Sequence, residues 1–273
     1  MADPLTIAFN ICLDITAVFS ITIKSTAILI VIFCTPSKMR YFSYFILNEM
    51  GWNFAGNVLY TVSHFIPMLR AECFRLDGLL SSLFPGHTEA LGHFFFQSIM
   101  ITALNCAIGI YLGFQFRYMA IAYRVWMDKF SPFWGFLFCF VIHSVASLVI
   151  IFLFQLWRIP VADYPDKAHI QNQERLFCYQ PSGFSKSLIV ILFFCLIFTV
   201  VVLFTLFTLL SQRHLKLNEN FLEAKTIRLQ RILLRNLVIL NVIPIVFGAA
   251  ALLVAVFYVY MNELPTTRTL RTN

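Results

Sequence analysis

Glu49, Asn53, Asn57, Tyr60 and His64 follow one another at steps of four, four, three and four residues. That spacing places five polar or ionisable side chains on one face of a single helix. The residues between them are largely apolar, so the stripe lies in a segment that reads as a membrane span. A charged side chain in hydrocarbon costs at least about 2.5 kcal/mol even on permissive insertion scales. The stripe must therefore face water or other helices, either as a polar cavity and switch network or as hydrogen-bonding glue between helices. Lys24 lies near the middle of the preceding apolar run. Counted from the inner ends of the two runs, its height differs from that of Glu49 by roughly 4 to 5 Å at the helical rise. A lysine side chain covers that difference, which predicts a Lys24–Glu49 pair; a Lys24 that snorkels alone is the competing arrangement.

A second polar set lies in the run 92–124, where Ser98, Thr102, Asn105, Gly109 and Gly113 recur at helical spacing. Small residues let backbones approach and polar ones need partners in lipid, so this side is expected to face neighbouring helices, with Asn105 in the intramembrane polar network. The run ends in Arg117 and Tyr118, a basic residue at a membrane boundary. From 220 to 235 the chain reads as a helix in which Lys225, Arg228, Arg231 and Arg235 form one basic stripe. That stripe is either a docking surface for a cytoplasmic partner beside Arg117 or an anchor on lipid headgroups. Pro244 is expected to kink the last apolar run.

Two of the seven cysteines, Cys73 and Cys178, lie between apolar runs rather than in them. If their loops are extracellular, a disulfide between them persists and ties the longer loop over the mouth of the bundle. No other chemistry is evident. His64, His93 and His143 lack the i, i+4 spacing of a metal-binding helix, and there is no phosphate loop, serine elbow or potassium filter. Neither a catalytic centre, a metal nor a cofactor is expected.

The elements that carry these residues follow from composition. The chain has 273 residues, 60% of them hydrophobic and only 12% charged. A soluble domain has about 25% charged residues, so the solvent here is a bilayer. Six apolar spans are expected, at about 7–34, 42–69, 92–122, 133–157, 187–210 and 232–260, forming one all-α polytopic transmembrane domain over 1–273. The first span reads as a retained anchor rather than a cleaved signal peptide. The net charge of +7 is spread over short loops, which excludes nucleic acid as its reason. The first, third and fifth loops carry eleven basic against three acidic residues, whereas the other side of the layout carries eight of each. Those basic loops are therefore expected in the cytoplasm and the N-terminus outside.

Three stretches resemble nematode serpentine chemoreceptors of the Str superfamily (the Srh, Sri, Srd and Str classes). TPSKMRYFSYFILNEMGWN is similar to the start of their second helix, FQFRYMAIAYR to their F-x-x-R-Y motif, and LQRILLRNLVILNVIPIV to their sixth-helix entry. The resemblance implies a G-protein-coupled receptor at the plasma membrane, often of sensory cilia. Its partners would be an external small molecule and a heterotrimeric G protein, with Arg117 and Tyr118 at the third-helix motif. No acidic residue stands beside Arg117, so an ionic lock of the rhodopsin kind is not expected. The seventh helix of the family is not seen either. A six-helix channel or transporter, or a truncated receptor that no longer signals, are the alternative readings.

Overall fold

The computed structural model describes residues 4–35, 40–68, 71–84, 86–123, 131–165 and 174–217, with helical residues 231, 232, 234, 235, 238, 239 and 242. The helices are α1 (Pro4–Cys34), α2 (Arg40–Ser63), α3 (Leu79–Leu83), α4 (Thr88–Ala122), α5 (Pro132–Trp157) and α6 (Phe184–Leu217). Among the described residues four of them, α1, α4, α5 and α6, contain stretches long and apolar enough to cross a membrane. Large apolar side chains on these helices stay uncovered: Phe19 is 66% exposed, Phe33 78% and Phe140 69%. Soluble proteins rarely show extended apolar surface of this kind, whereas hydrocarbon accepts it. The chain is a helical membrane protein.

Burial of the apolar stretches ranges from 0% in α1 to 44% in α4, which makes α4 the most enclosed of these four among the described residues. It is buried on more than one side. Thr102, Leu104, Asn105, Ile110 and Leu112 are buried, and Gly56 of α2 lies against the Thr102 hydroxyl.

The expected second span, 42–69, is cut short. α2 ends at Ser63, and His64 turns the chain with φ 36°. Phe65–Pro67 then forms a strand, β1. The end of α2 is capped from downstream: Asp77 N donates to His64 O at 3.1 Å and Gly78 N to Ser63 O at 3.3 Å. These bonds satisfy carbonyls that a helix C-terminus leaves open. Only glycine fits at 78, because a Cβ there would stand 2.3 Å from Val62 O. The expected sixth span falls almost wholly outside the described residues, as do Lys225, Arg228 and Pro244.

An all-α architecture does not account for what lies where α2 and α5 end and α4 and α6 begin. Four short strands, β1, β2 (Cys73–Leu76), β3 (Arg158–Ile159) and β4 (Leu176–Tyr179), pair there in the order β1-β2-β4-β3, each pairing antiparallel. The physical reason for the miss lies in β4. All four of its residues are buried, so it lacks the alternation by which a half-buried strand is recognised. Its partner β2 lies about a hundred residues away in sequence, and such a pairing has no local signature.

The described chain divides into two compact units. The first comprises Met1–Gly113 and Asp128–Ile189, and so holds α1, α2, α3, the sheet, α5 and the first part of α4. The second comprises Phe114–Met127 and Val190–Asn273. In it the Phe114 and Phe204 rings meet edge to face at 4.7 Å, and Tyr118 meets Phe207 at 5.7 Å. These contacts join the end of α4 to α6.

Candidate functional site

The first unit holds a chain of polar side chains between apolar helices. His143 of α5 is its centre. Its Nδ1 lies 2.7 Å from Asn105 Oδ1 of α4, and its Nε2 lies 2.9 Å from Asn48 Nδ2 of α2. Asn105 Nδ2 in turn donates to Ser147 Oγ at 2.9 Å, and Ser147 Oγ donates to the His143 carbonyl at 2.7 Å. The donors and acceptors determine one another. Because the Asn105 amide nitrogen is committed to Ser147, its oxygen accepts, so His143 carries its proton on Nδ1 and accepts on Nε2. This assigns the neutral imidazole from the network around it. Trp52 flanks the imidazole, with ring centroids 5.4 Å apart. Asn105 is fully buried and His143 nearly so.

A second line joins α1 to α2. Lys24 Nζ donates to Asn53 Oδ1, and Asn53 Nδ2 reaches Cys106 Sγ on α4 at 3.6 Å. Higher up, Asn57 Nδ2 donates to Ser20 Oγ at 2.8 Å. At the end of α2, His64 Nε2 stands 3.3 Å from Asp14 Oδ1 without forming a hydrogen bond. Asn53 and Asn57 therefore each bond a side chain of α1, and Asn53 also reaches α4, while His64 only stands near Asp14. Tyr60, on the same stripe, is exposed.

The expected Lys24–Glu49 pair is not formed. Among the described residues Lys24 bonds Asn53 one turn further along α2, and Glu49 has neither a hydrogen bond nor an ion pair. The reason is the crossing of α2 and α4. Gly109 brings its helix so close that a Cβ on it would stand 3.0 Å from Glu49 Cα. Glu49 sits at this α4 contact, while Asn53 is the residue of the stripe that meets Lys24. Asn48, Ser20, Asp14, Ser147 and Cys106 complete the network. Of these, Ser20, Cys106 and Ser147 stand four residues from Lys24, Thr102 and His143, a helical spacing, whereas Asn48 and Asp14 stand at no such step from a residue of the expected network.

Over this network lies the sheet. Cys73 and Cys178 stand opposite one another in β2 and β4 and form a disulfide, both fully buried. Tyr179 N donates to Glu72 O and Leu76 N to Arg175 O, so the disulfide occupies a pair without ladder hydrogen bonds, where side chains approach most closely. It packs with Tyr164 and Leu176 on one face of the sheet, and on the other face aromatic rings meet: Trp157 stacks on Tyr179 at 4.5 Å, and Phe74 stacks on Phe177 at 5.6 Å. Tyr164 OH accepts from Glu72 N at 3.0 Å. The Glu72 carboxylate accepts from Lys186 Nζ at 3.1 Å, so the sheet is tied to the start of α6. Burial raises the pKa of the Tyr179 hydroxyl, whose oxygen has no hydrogen-bond partner among the described residues.

In the second unit Arg117 is half-buried without a hydrogen bond or ion pair among the described residues. Tyr118 meets the His214 ring of α6 edge to face at 5.7 Å. Gln115 Oε1, Thr208 Oγ1, Ser211 Oγ and His214 Nδ1 are buried without hydrogen-bond partners there. Of the expected basic stripe, Arg231 and Arg235 are helical and exposed. Compared with models of known protein families the chain matches none, and no curated protein matches it either.

Proposed function

We propose that this chain is a chemosensory receptor of the plasma membrane, with six spans, its N-terminus outside, and a heterotrimeric G protein as its cytoplasmic partner. One observation carries this reading. A continuous hydrogen-bonded network runs from Asn48 through His143 and Asn105 to Ser147, buried among α2, α4 and α5 beneath a disulfide-stapled sheet. Polar groups at this depth are costly and mark functional positions in membrane proteins by default. An external small molecule acts by binding one helix arrangement better than another, and a buried amide–imidazole chain that links three helices suits such a device.

The G-protein side rests on Arg117 and Tyr118. The guanidinium has no hydrogen bond or ion pair among the described residues, and unpartnered buried polar atoms of Gln115, Ser211 and His214 belong to the same unit. An opening of helix ends would expose groups of this kind to a partner. The test is ligand-dependent G-protein activation in cells, with Arg117→Ala as the comparison. Activation by the wild type and not by the variant is expected; equal activation removes the role given to Arg117. Orientation is tested by labelling single cysteines placed at 40 and 226. Modification of either from outside an intact cell would overturn the layout.

A further inference from the structure

Between the first turn of α4 and the β3–β4 side of the sheet lies an open cleft of about 750 Å³. That volume is within the range of small-molecule sites. Two guanidinium groups border it, Arg158 at the start of β3 and Arg175 just before β4. Neither has an ion-pair partner among the described residues. The Arg158 side chain makes no hydrogen bond there, and Arg175 makes a single long one, from Nη1 to Ser81 Oγ at 3.3 Å. Glu89 is the acidic residue on the wall, and it is already engaged: its Oε1 accepts from Val161 N at 3.0 Å.

Two further features single out this place. Arg175 has φ 63°, a left-handed backbone that residues other than glycine seldom adopt. It is held there by Leu76 N, which donates to its carbonyl at 3.1 Å. Backbone outliers of this sort gather at ligand clamps. His93 also lines the cleft, and its Nδ1 is buried with no hydrogen-bond partner among the described residues. Buried polar atoms ordinarily have one.

We propose that the cleft binds an organic anion. Its carboxylate or phosphate oxygens are held by Arg158 and Arg175, and its apolar part lies against Ile159, Pro160 and Leu176. Planar guanidinium groups bind such oxyanions through paired, charge-assisted hydrogen bonds, and the N-terminus of α4 adds a favourable dipole for negative charge. The inference rests on the receptor reading for what binding accomplishes. Binding itself is measured directly, so that either can fail alone.

The experiment uses the full chain in phosphatidylcholine nanodiscs, titrated calorimetrically with phenylacetate, with inorganic phosphate and with 2-phenylethanol as the neutral counterpart. Phenylacetate is expected to bind saturably, and at least tenfold more tightly than 2-phenylethanol. Arg158→Gln and Arg175→Gln are each expected to weaken it at least tenfold, with Arg158→Lys losing less. Arg158 makes no side-chain hydrogen bond within the described chain, so its variant separates loss of binding from loss of folding; melting temperature and the Cys73–Cys178 mass shift check this. A second arm adds phosphatidylglycerol to the nanodiscs. If that lipid competes with phenylacetate in the wild type but has no effect in Arg158→Gln, the oxyanion comes from a headgroup and the site stands. Absence of binding by both anions in both lipids, or unchanged affinity in Arg158→Gln, overturns the proposal. Binding without G-protein activation removes the receptor reading instead and leaves the anion site intact.

Discussion

His143 Nδ1 and Asn105 Oδ1 meet at 2.7 Å across the α4–α5 contact, at a depth where neither is exposed. The Asn105 amide, oriented by Ser147, places the imidazole proton on Nδ1 and leaves Nε2 to accept from Asn48. Three helices are thereby held in one hydrogen-bonding register.

Asn105→Ala is expected to cost about 1 to 2 kcal/mol, the upper part of what interhelical hydrogen bonds contribute in membranes. It strands His143 Nδ1 and removes a donor to Ser147. Ser98→Ala, whose hydroxyl bonds, among the described residues, only the Phe94 carbonyl of its own helix, is expected to cost less than about 0.5 kcal/mol. Unfolding of the two variants in mixed micelles checks the contrast.

Lys24 is expected to couple to Asn53 and not to Glu49. In double-mutant cycles Lys24→Met with Asn53→Leu is expected to show an interaction of about 1 to 2 kcal/mol, as for a hydrogen bond to a charged group. Lys24→Met with Glu49→Gln is expected to be additive within about 0.5 kcal/mol. The reverse ranking would restore the Lys24–Glu49 pair.

Reduction of the Cys73–Cys178 disulfide, or Cys73→Ser, is expected to lower stability by about 2 to 4 kcal/mol. The bond closes a loop of 105 residues between two elements that share no other covalent tie. Helices that persist in the unfolded membrane state keep the effect below the full chain-entropy value. Melting temperature with and without reductant is the measurement. An unchanged value would mean that the aromatic packing around Tyr179 holds the sheet alone.

Tyr179 sets an alkaline limit. Burial raises its folded-state pKa above the ordinary tyrosine value of about 10. Above that pH the unfolded chain loses the proton that the folded chain keeps, so stability is full below about pH 10 and falls as pH rises further. Tyr179→Phe is expected to remove that slope. Because the hydroxyl is buried without a hydrogen-bond partner among the described residues, the variant is expected to be no less stable at neutral pH, or more stable by about 1 kcal/mol. Melting curves at pH 7 and pH 10.5 test both halves.

Much of this was legible in the residues alone, and for a local reason. Apolar content and run length are properties of consecutive residues, so the chain announces its membrane helices without knowledge of its fold. Helical spacing likewise placed Asn53 and Asn57 on one face and Thr102, Asn105 and Gly109 on another, though not His64, which lies past the end of α2. Which residue each of these meets was a different matter. Asn53 rather than Glu49 took Lys24 because Gly109 draws α4 onto Glu49, a fact about how two helices cross. His143 found Asn48 and Asn105 on two different helices. The sheet is the extreme case: β2 and β4 lie about a hundred residues apart, and β4, buried throughout, shows no alternation. Periodicity records which way a side chain points; only packing between distant segments decides what it touches.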